Sequence, residues 1–198
     1  INKDKPGTNV TGSSDLNPIG AQLDLIMQFV PNAKTIGTIY NSSEINSQFQ
    51  VEILKKELAR YNVTLVEGTV SSVNDVQQVA QGLIGKIDAL YVPTDNIIAS
   101  AMPVLTKITT PAKVPVITGE EGPLHGGGLA TVGVDYYELG KIAGNMGADI
   151  LEGKAKPADM PIQYQKEFKV KVNEPVLKTL GLQLPETLKG KAELGDFH

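Results

Sequence analysis

Apolar positions along this chain recur at two different spacings. Short apolar runs at 34–40, 64–68, 89–92, 114–118 and 130–134 have strand length and are rich in β-branched and aromatic residues. Between them the spacing is helical. Ile19, Leu23, Ile26, Met27 and Val30 make one such set, and Val51, Leu54, Leu58 and Tyr61 a second. Val76, Val79, Ala80 and Leu83 make a third, and residues 97–110 a fourth. Pro31 and Asn62 stop the first two sets, and 71–75 is dense in capping residues. The alternation predicts an α/β fold: a Rossmann-like parallel sheet of about five strands flanked by helices on both faces, built between Ser14 and Val134.

The pattern continues at both ends. Residues 8–12 read as one short strand, with Ser13, Ser14 and Asp15 capping the first helix. Pro103 predicts a break near Met102, because a proline inside a helix costs ~3 kcal/mol or more. A long helix is expected at Tyr136–Leu151, with Leu139, Ile142, Ala143, Met146 and Ile150 in one stripe. Two β-like segments come next at 160–163 and 168–172, then a helix capped by Asn173 and a Lys-rich tail.

Each strand end hands over to a polar cluster. Asn41, Ser42, Ser43, Glu44 and Ser47 follow the first, and Thr94, Asp95 and Asn96 follow the strand at 89–92. Glu120 and Glu121 follow the next, and Asp135 and Tyr136 the last. Ligands of open α/β sheets bind outside the carboxyl ends of the strands, so these residues are the candidate binding set. The competing role for each is to cap the next helix. The clusters hold five carboxylates and no arginine or lysine, which favours an ammonium group over an anion. The expected ligand is therefore a small zwitterion, with Asp95 first and Glu120 second as the ammonium's partner. Its carboxylate would take hydroxyls and helix-start N–H groups near Ser42, Ser43 and Ser47.

Composition narrows the function classes. Of 18 basic residues only Arg60 is an arginine, and the net charge is −4, which argues against nucleic acid as a partner. The absence of cysteine excludes disulfides, thiolate nucleophiles and cysteine-based zinc sites. No spacing of Asp, Glu and His predicts a metal site, and no Gly-rich nucleotide loop predicts a cofactor. His125-Gly126-Gly127-Gly128 resembles an oxyanion loop, but there is no Gly-x-Ser-x-Gly, and the only later histidine is His198. The turn before the strand at 130–134 is the simpler reading. No apolar run approaches the ~20 residues of a membrane span. The start at Ile1, with no Met and no lipid-attachment motif, reads as a processed or truncated product.

Six segments, in order, carry a family resemblance. They are 6–15 (PGTNVTGSSD), 40–44 (YNSSE), 91–96 (YVPTDN), 133–140 (GVDYYELG), 153–157 (GKAKP), and Val172-Asn173 with Leu180-Gly181-Leu182 and Pro185. Together they resemble the solute-binding proteins of ABC importers, in the branch whose ligands include tryptophan and tyrosine. The resemblance implies the type I periplasmic-binding architecture, two α/β lobes joined by three crossovers around a ligand cleft. It implies one complete lobe here and part of the other, with most of lobe one lying ahead of Ile1. Residues 1–14 would be the last strand of lobe one and a crossover, and 15–134 lobe two. Residues 135–163 would be a helix and strand of lobe one, and 164–198 the return to lobe two with the tail.

The resemblance further implies a non-enzymatic receptor, without cofactor, for an amino acid, aromatic such as tryptophan. Its partners would be an ABC permease and its ATPase. It would be exported, periplasmic or a cell-surface lipoprotein, held to the membrane only by a lipid anchor absent from this chain. Two rivals stand beside it: the ligand-sensing domain of a transcription regulator with the same fold, and an α/β enzyme lacking its catalytic lobe.

Overall fold

A computed structural model describes residues 2–197; Ile1 and His198 lie outside the described residues. The chain divides into two compact units, Ile1–Asn17 with Val134–Phe168, and Pro18–Gly133 with Lys169–His198.

The larger unit holds a seven-stranded sheet. Its strands are β2 (Thr35–Asn41), β3 (Thr64–Val70), β4 (Ala89–Val92), β5 (Val116–Thr118), β6 (Ala130–Gly133), β8 (Lys169–Asn173) and β9 (Glu193–Gly195). The spatial order is β3-β2-β4-β5-β6-β8-β9. The first five are parallel, as the alternation predicts. Parallel neighbours need crossovers, and helices α2 (Ile45–Leu58), α3 (Val76–Leu83) and α4 (Asn96–Thr109) supply those from β2 to β5, with α1 (Ile19–Phe29) leading into β2. Helix α1 packs beside α2, and α3 beside α4. Ile39, Leu90, Val92 and Val116 of the strands meet Ala80, Leu83, Ile98, Met102 and Leu105 of α3 and α4 in one core. Each fully buried Leu or Ile there contributes roughly 1.5–3 kcal/mol.

The sheet goes beyond the expected five strands. The segment expected at 168–172 is β8, and it runs antiparallel to β6. Strand β9 adds a further edge, parallel to β8. Helix α6 (Glu174–Leu180) comes after β8, its first turn capped by Asn173.

Two local expectations are corrected. Helix α4 runs through Pro103 without a break at Met102. Pro103 is exposed and Ala99, whose carbonyl loses its usual donor, is only half-buried, so water can serve that carbonyl. Residues 8–12 form no strand; the pairing residues are Ser13–Ser14 instead.

The smaller unit contains that strand, β1, paired in parallel with β7 (Gln163–Tyr164), and helix α5 (Tyr136–Leu151). The Thr11 hydroxyl donates to the Met160 carbonyl at 2.8 Å, and the Gln163 N–H to the Gly12 carbonyl at 3.0 Å. Only Leu139 and Met146 of the α5 stripe are buried, while Leu151 is 90 % exposed.

Candidate functional site

Because β2, β4 and β5 are parallel and adjacent, their carboxyl ends share one edge of the large sheet. The β2 and β4 corners are tied together by side chains. The Asp95 carboxylate accepts the Ile98 N–H at 3.0 Å, capping α4, and the Asn41 N–H at 2.7 Å, reaching across to β2. Asp95 is only 2 % exposed. Glu44 crosses the other way: its carboxylate accepts the N–H and side-chain amide of Asn96 at 3.2 and 3.1 Å. Ser47, fully buried, donates to the Thr94 carbonyl at 2.9 Å, and Asn46 donates to the same oxygen at 3.0 Å. The Gln50 amide oxygen accepts the Thr94 N–H at 3.1 Å. Asn41 turns its own chain, its side-chain oxygen accepting the Ser43 N–H at 2.9 Å.

Seven of the candidates, Asn41, Ser43, Glu44, Ser47, Thr94, Asp95 and Asn96, thus form one bonded cluster. Most of its side-chain groups are engaged in holding the corners. Ser42 and Ser43 remain exposed at its rim, and the start of α2 has no side-chain cap among the described residues. An open cleft of about 510 Å³ lies beside Ser42, lined by Thr69, Val70, Ser71, Asp75, Gln78 and Val79. Asp75 accepts from the N–H and hydroxyl groups of both Ser71 and Ser72. These bonds, those from Ser71 foremost, hold its carboxyl below the usual aspartate range.

The β5 corner is built differently. The Gly119 N–H donates to the Val92 carbonyl at 2.7 Å, and a methyl group on Gly119 would sit 2.9 Å from the Thr94 nitrogen. Only glycine lets this corner lie against the β4 corner. The Thr118 hydroxyl donates to the Glu120 carbonyl at 2.7 Å. Glu120 is half-buried, and its carboxylate has no partner among the described residues. Glu121 is paired with Lys171 of β8 at 2.6 Å. Nothing in the strand-end pattern signals that lysine, which arrives from the antiparallel strand.

His125 and its glycines form a packed turn. A methyl on Gly126 would lie 2.4 Å from the Met102 Cβ, and Gly127 has φ +97° against Thr106. His125 itself meets the Phe197 ring, edge-on at 6.0 Å.

Asp135 and Tyr136 belong to the smaller unit. Asp135 caps α5 by accepting the Tyr137 and Glu138 N–H groups at 2.9 and 3.2 Å, and its own N–H donates to the Gln165 side chain at 2.8 Å. Tyr136 is 50 % exposed.

Gln22 is among the buried polar groups of the larger unit that fall outside the candidate set. Gln22 of α1 lies fully buried among the strand ends, with the Tyr91 hydroxyl donating to it at 2.7 Å. Burial raises the Tyr91 phenol above its ordinary value, so that hydroxyl stays protonated. The sequence signal for Gln22 is its place on the α1 stripe, between Ile19 and Ile26.

The sequence and the fold have known counterparts. Residues 1–194 match the ABC transporter substrate binding protein family, and the chain belongs to that family. It is 43 % identical over 180 residues to a tyrosine-binding protein of Clostridioides difficile, a match covering 91 % of this chain and 52 % of that one. A solved ABC domain in complex with L-Trp from Streptococcus pneumoniae is similar with a TM-score of 0.88 at 37 % identity, over 98 % of this chain and 67 % of that one. The ligand-free, open structure of a substrate binding protein with adhesive properties from Clostridium difficile gives a TM-score of 0.83 at 42 % identity, over 98 % and 65 %. The chain spans about half the length of the curated relatives it matches. Regulators of the LacI family, at 9 to 18 % identity, share the fold alone.

Proposed function

We propose that this chain is part of a solute receptor for an ABC importer, and that its ligand is an amino acid with an aromatic side chain. Family membership over residues 1–194 is the observation that carries this reading. The relatives add the ligand class, since one is a tyrosine-binding protein and another was solved with L-Trp.

The chemistry of the sheet edge agrees. Glu120 offers a half-buried carboxylate, unpartnered among the described residues, for an ammonium group. Ser42 and Ser43 offer exposed hydroxyls beside the start of α2, which has no side-chain cap among the described residues and where a ligand carboxylate is favoured. Asp95 keeps the two corners together, and Glu120 takes its place as the ammonium's partner.

The larger unit is lobe two of a two-lobe receptor, and the smaller unit with α5 belongs to lobe one. Binding is non-covalent, hinge closure couples capture to docking on the permease, and no reaction is catalysed. The receptor works outside the cytoplasmic membrane, periplasmic or tethered as a lipoprotein. Calorimetry on the full-length chain with amino-acid and sugar panels tests the reading. Tight binding of L-tyrosine or L-tryptophan is expected; tight sugar binding with no amino-acid binding would overturn it.

A further inference from the structure

The Gln22 side chain has every polar atom engaged. Its Nε2 donates to the Gly119 and Val132 carbonyls, both at 2.9 Å, and its Oε1 accepts the Tyr91 hydroxyl at 2.7 Å. Partner chemistry fixes the orientation of the amide, because two carbonyls can only accept. A position fully buried on an apolar helix stripe would be filled as well by Leu or Met for packing alone. A buried amide carries a desolvation cost that packing does not require, and in return it specifies one geometry.

That geometry concerns the β5 corner. Every peptide bond among the described residues is trans. In a trans peptide the C=O and the following N–H point in opposite directions. Drawing the Gly119 carbonyl inward to Gln22 therefore turns the Glu120 N–H away from Gln22. Among the described residues that N–H has no acceptor, and the Glu120 carboxylate has no donor. One residue thus presents an unused donor beside an unused carboxylate. An α-amino acid carries the complementary pair on a single carbon.

We infer that Gln22 is a positioning residue for ligand binding: its amide sets the Gly119–Glu120 peptide so that the Glu120 carboxylate meets the ammonium and the Glu120 N–H joins Ser42 and Ser43 as a donor for the ligand carboxylate. This rests on the reading of Glu120 as a ligand group. It separates Gln22 from Tyr91, whose hydroxyl holds the amide, whereas the bond to the Gly119 carbonyl is made by Gln22.

The test compares Gln22→Met and Tyr91→Phe in the full-length chain. Both lower the thermal midpoint, because both leave buried polar atoms unpaired. Measured where both variants are folded, Gln22→Met should weaken L-tyrosine or L-tryptophan binding about tenfold or more, and Tyr91→Phe about threefold or less. Amide exchange gives a readout that needs no ligand. The Gly119 N–H, bonded to Val92, should exchange faster in Gln22→Met relative to the rest of the sheet, and near the wild-type rate in Tyr91→Phe. Equal effects of the two variants, or unchanged affinity and Gly119 exchange in folded Gln22→Met, would leave Gln22 as core packing and overturn the inference. A wild-type chain that binds no amino acid overturns the functional reading and the ligand half of this inference. Exchange at Gly119 would still decide the tether.

Discussion

Asp95 and Glu120 occupy the same place in two neighbouring βα units, each an acidic residue close behind a parallel strand. The structure uses them in opposite ways. Asp95 is 2 % exposed and holds two backbone N–H groups, one in its own helix and one in the β2 corner. Glu120 is half-buried and holds none among the described residues. The difference lies in the next stretch of chain. After Asp95 a fourteen-residue helix begins at once, with N–H groups that need an acceptor. After Glu120 comes Gly122-Pro123 and a tight turn packed on Met102 and Thr106, with no long helix to cap. A carboxylate at a strand end is free for a ligand only where the chain does not claim it first.

This contrast can be broken by substitution. The largest effect is expected from Asp95→Ala. It removes a cap, worth about 0.5–2 kcal/mol, and strands the Asn41 N–H, worth about 1–3 kcal/mol. Urea unfolding should therefore show a loss of roughly 2–4 kcal/mol. A loss below about 1 kcal/mol would mean that Asp95 is not the strut of the two corners.

The β5 corner should fail by crowding instead. Gly126→Ala places a methyl 2.4 Å from the Met102 Cβ, and neither backbone can yield easily. Overpacking of this kind costs about 1–3 kcal/mol. An unchanged unfolding midpoint would show that the turn is loose and that Glu120 is not held by it.

Asp75 sharpens the comparison from the other side, as a half-buried carboxylate that caps its own short turn. Its bonds from Ser71 and Ser72 depress its folded-state pKa. A depressed carboxylate stabilises the fold above its unfolded pKa, about 3.9, and that stability is lost as pH falls through the lower folded value. The stability gap between wild type and Asp75→Asn should be widest near neutral pH and should close below about pH 4. A gap that widens on acidification would reverse the sign of the effect.

Much of the fold was legible because strand and helix periods differ and the caps between them are chemical. Strand β4 and helix α5 fall on the expected residues, and the five parallel strands follow from the alternation. Pro103 misled because propensity speaks of the helix alone, while its exposed setting lets water replace the missing bond. Strand β9 was invisible, being three residues long, with Leu194, its only apolar residue, 45 % exposed. The direction of β8 was equally hidden, since apolar alternation is the same read either way, and with it Lys171 at Glu121. For the candidate site, strand ends named the neighbourhood of every corner but not which carboxylate each corner consumes. That depends on hydrogen bonds between residues as distant in sequence as Asn41 and Asp95.

Under the proposed reading, ligand recognition turns on Glu120. Calorimetry of the full-length chain with L-tyrosine and L-tryptophan, wild type against Glu120→Gln, tests this most directly. Removing the partner of a desolvated ammonium should cost about 2–5 kcal/mol, an affinity loss of roughly thirtyfold or more, with the unfolding midpoint unchanged because the Glu120 carboxylate holds no backbone N–H among the described residues. Undiminished amino-acid binding by a folded Glu120→Gln variant would contradict it.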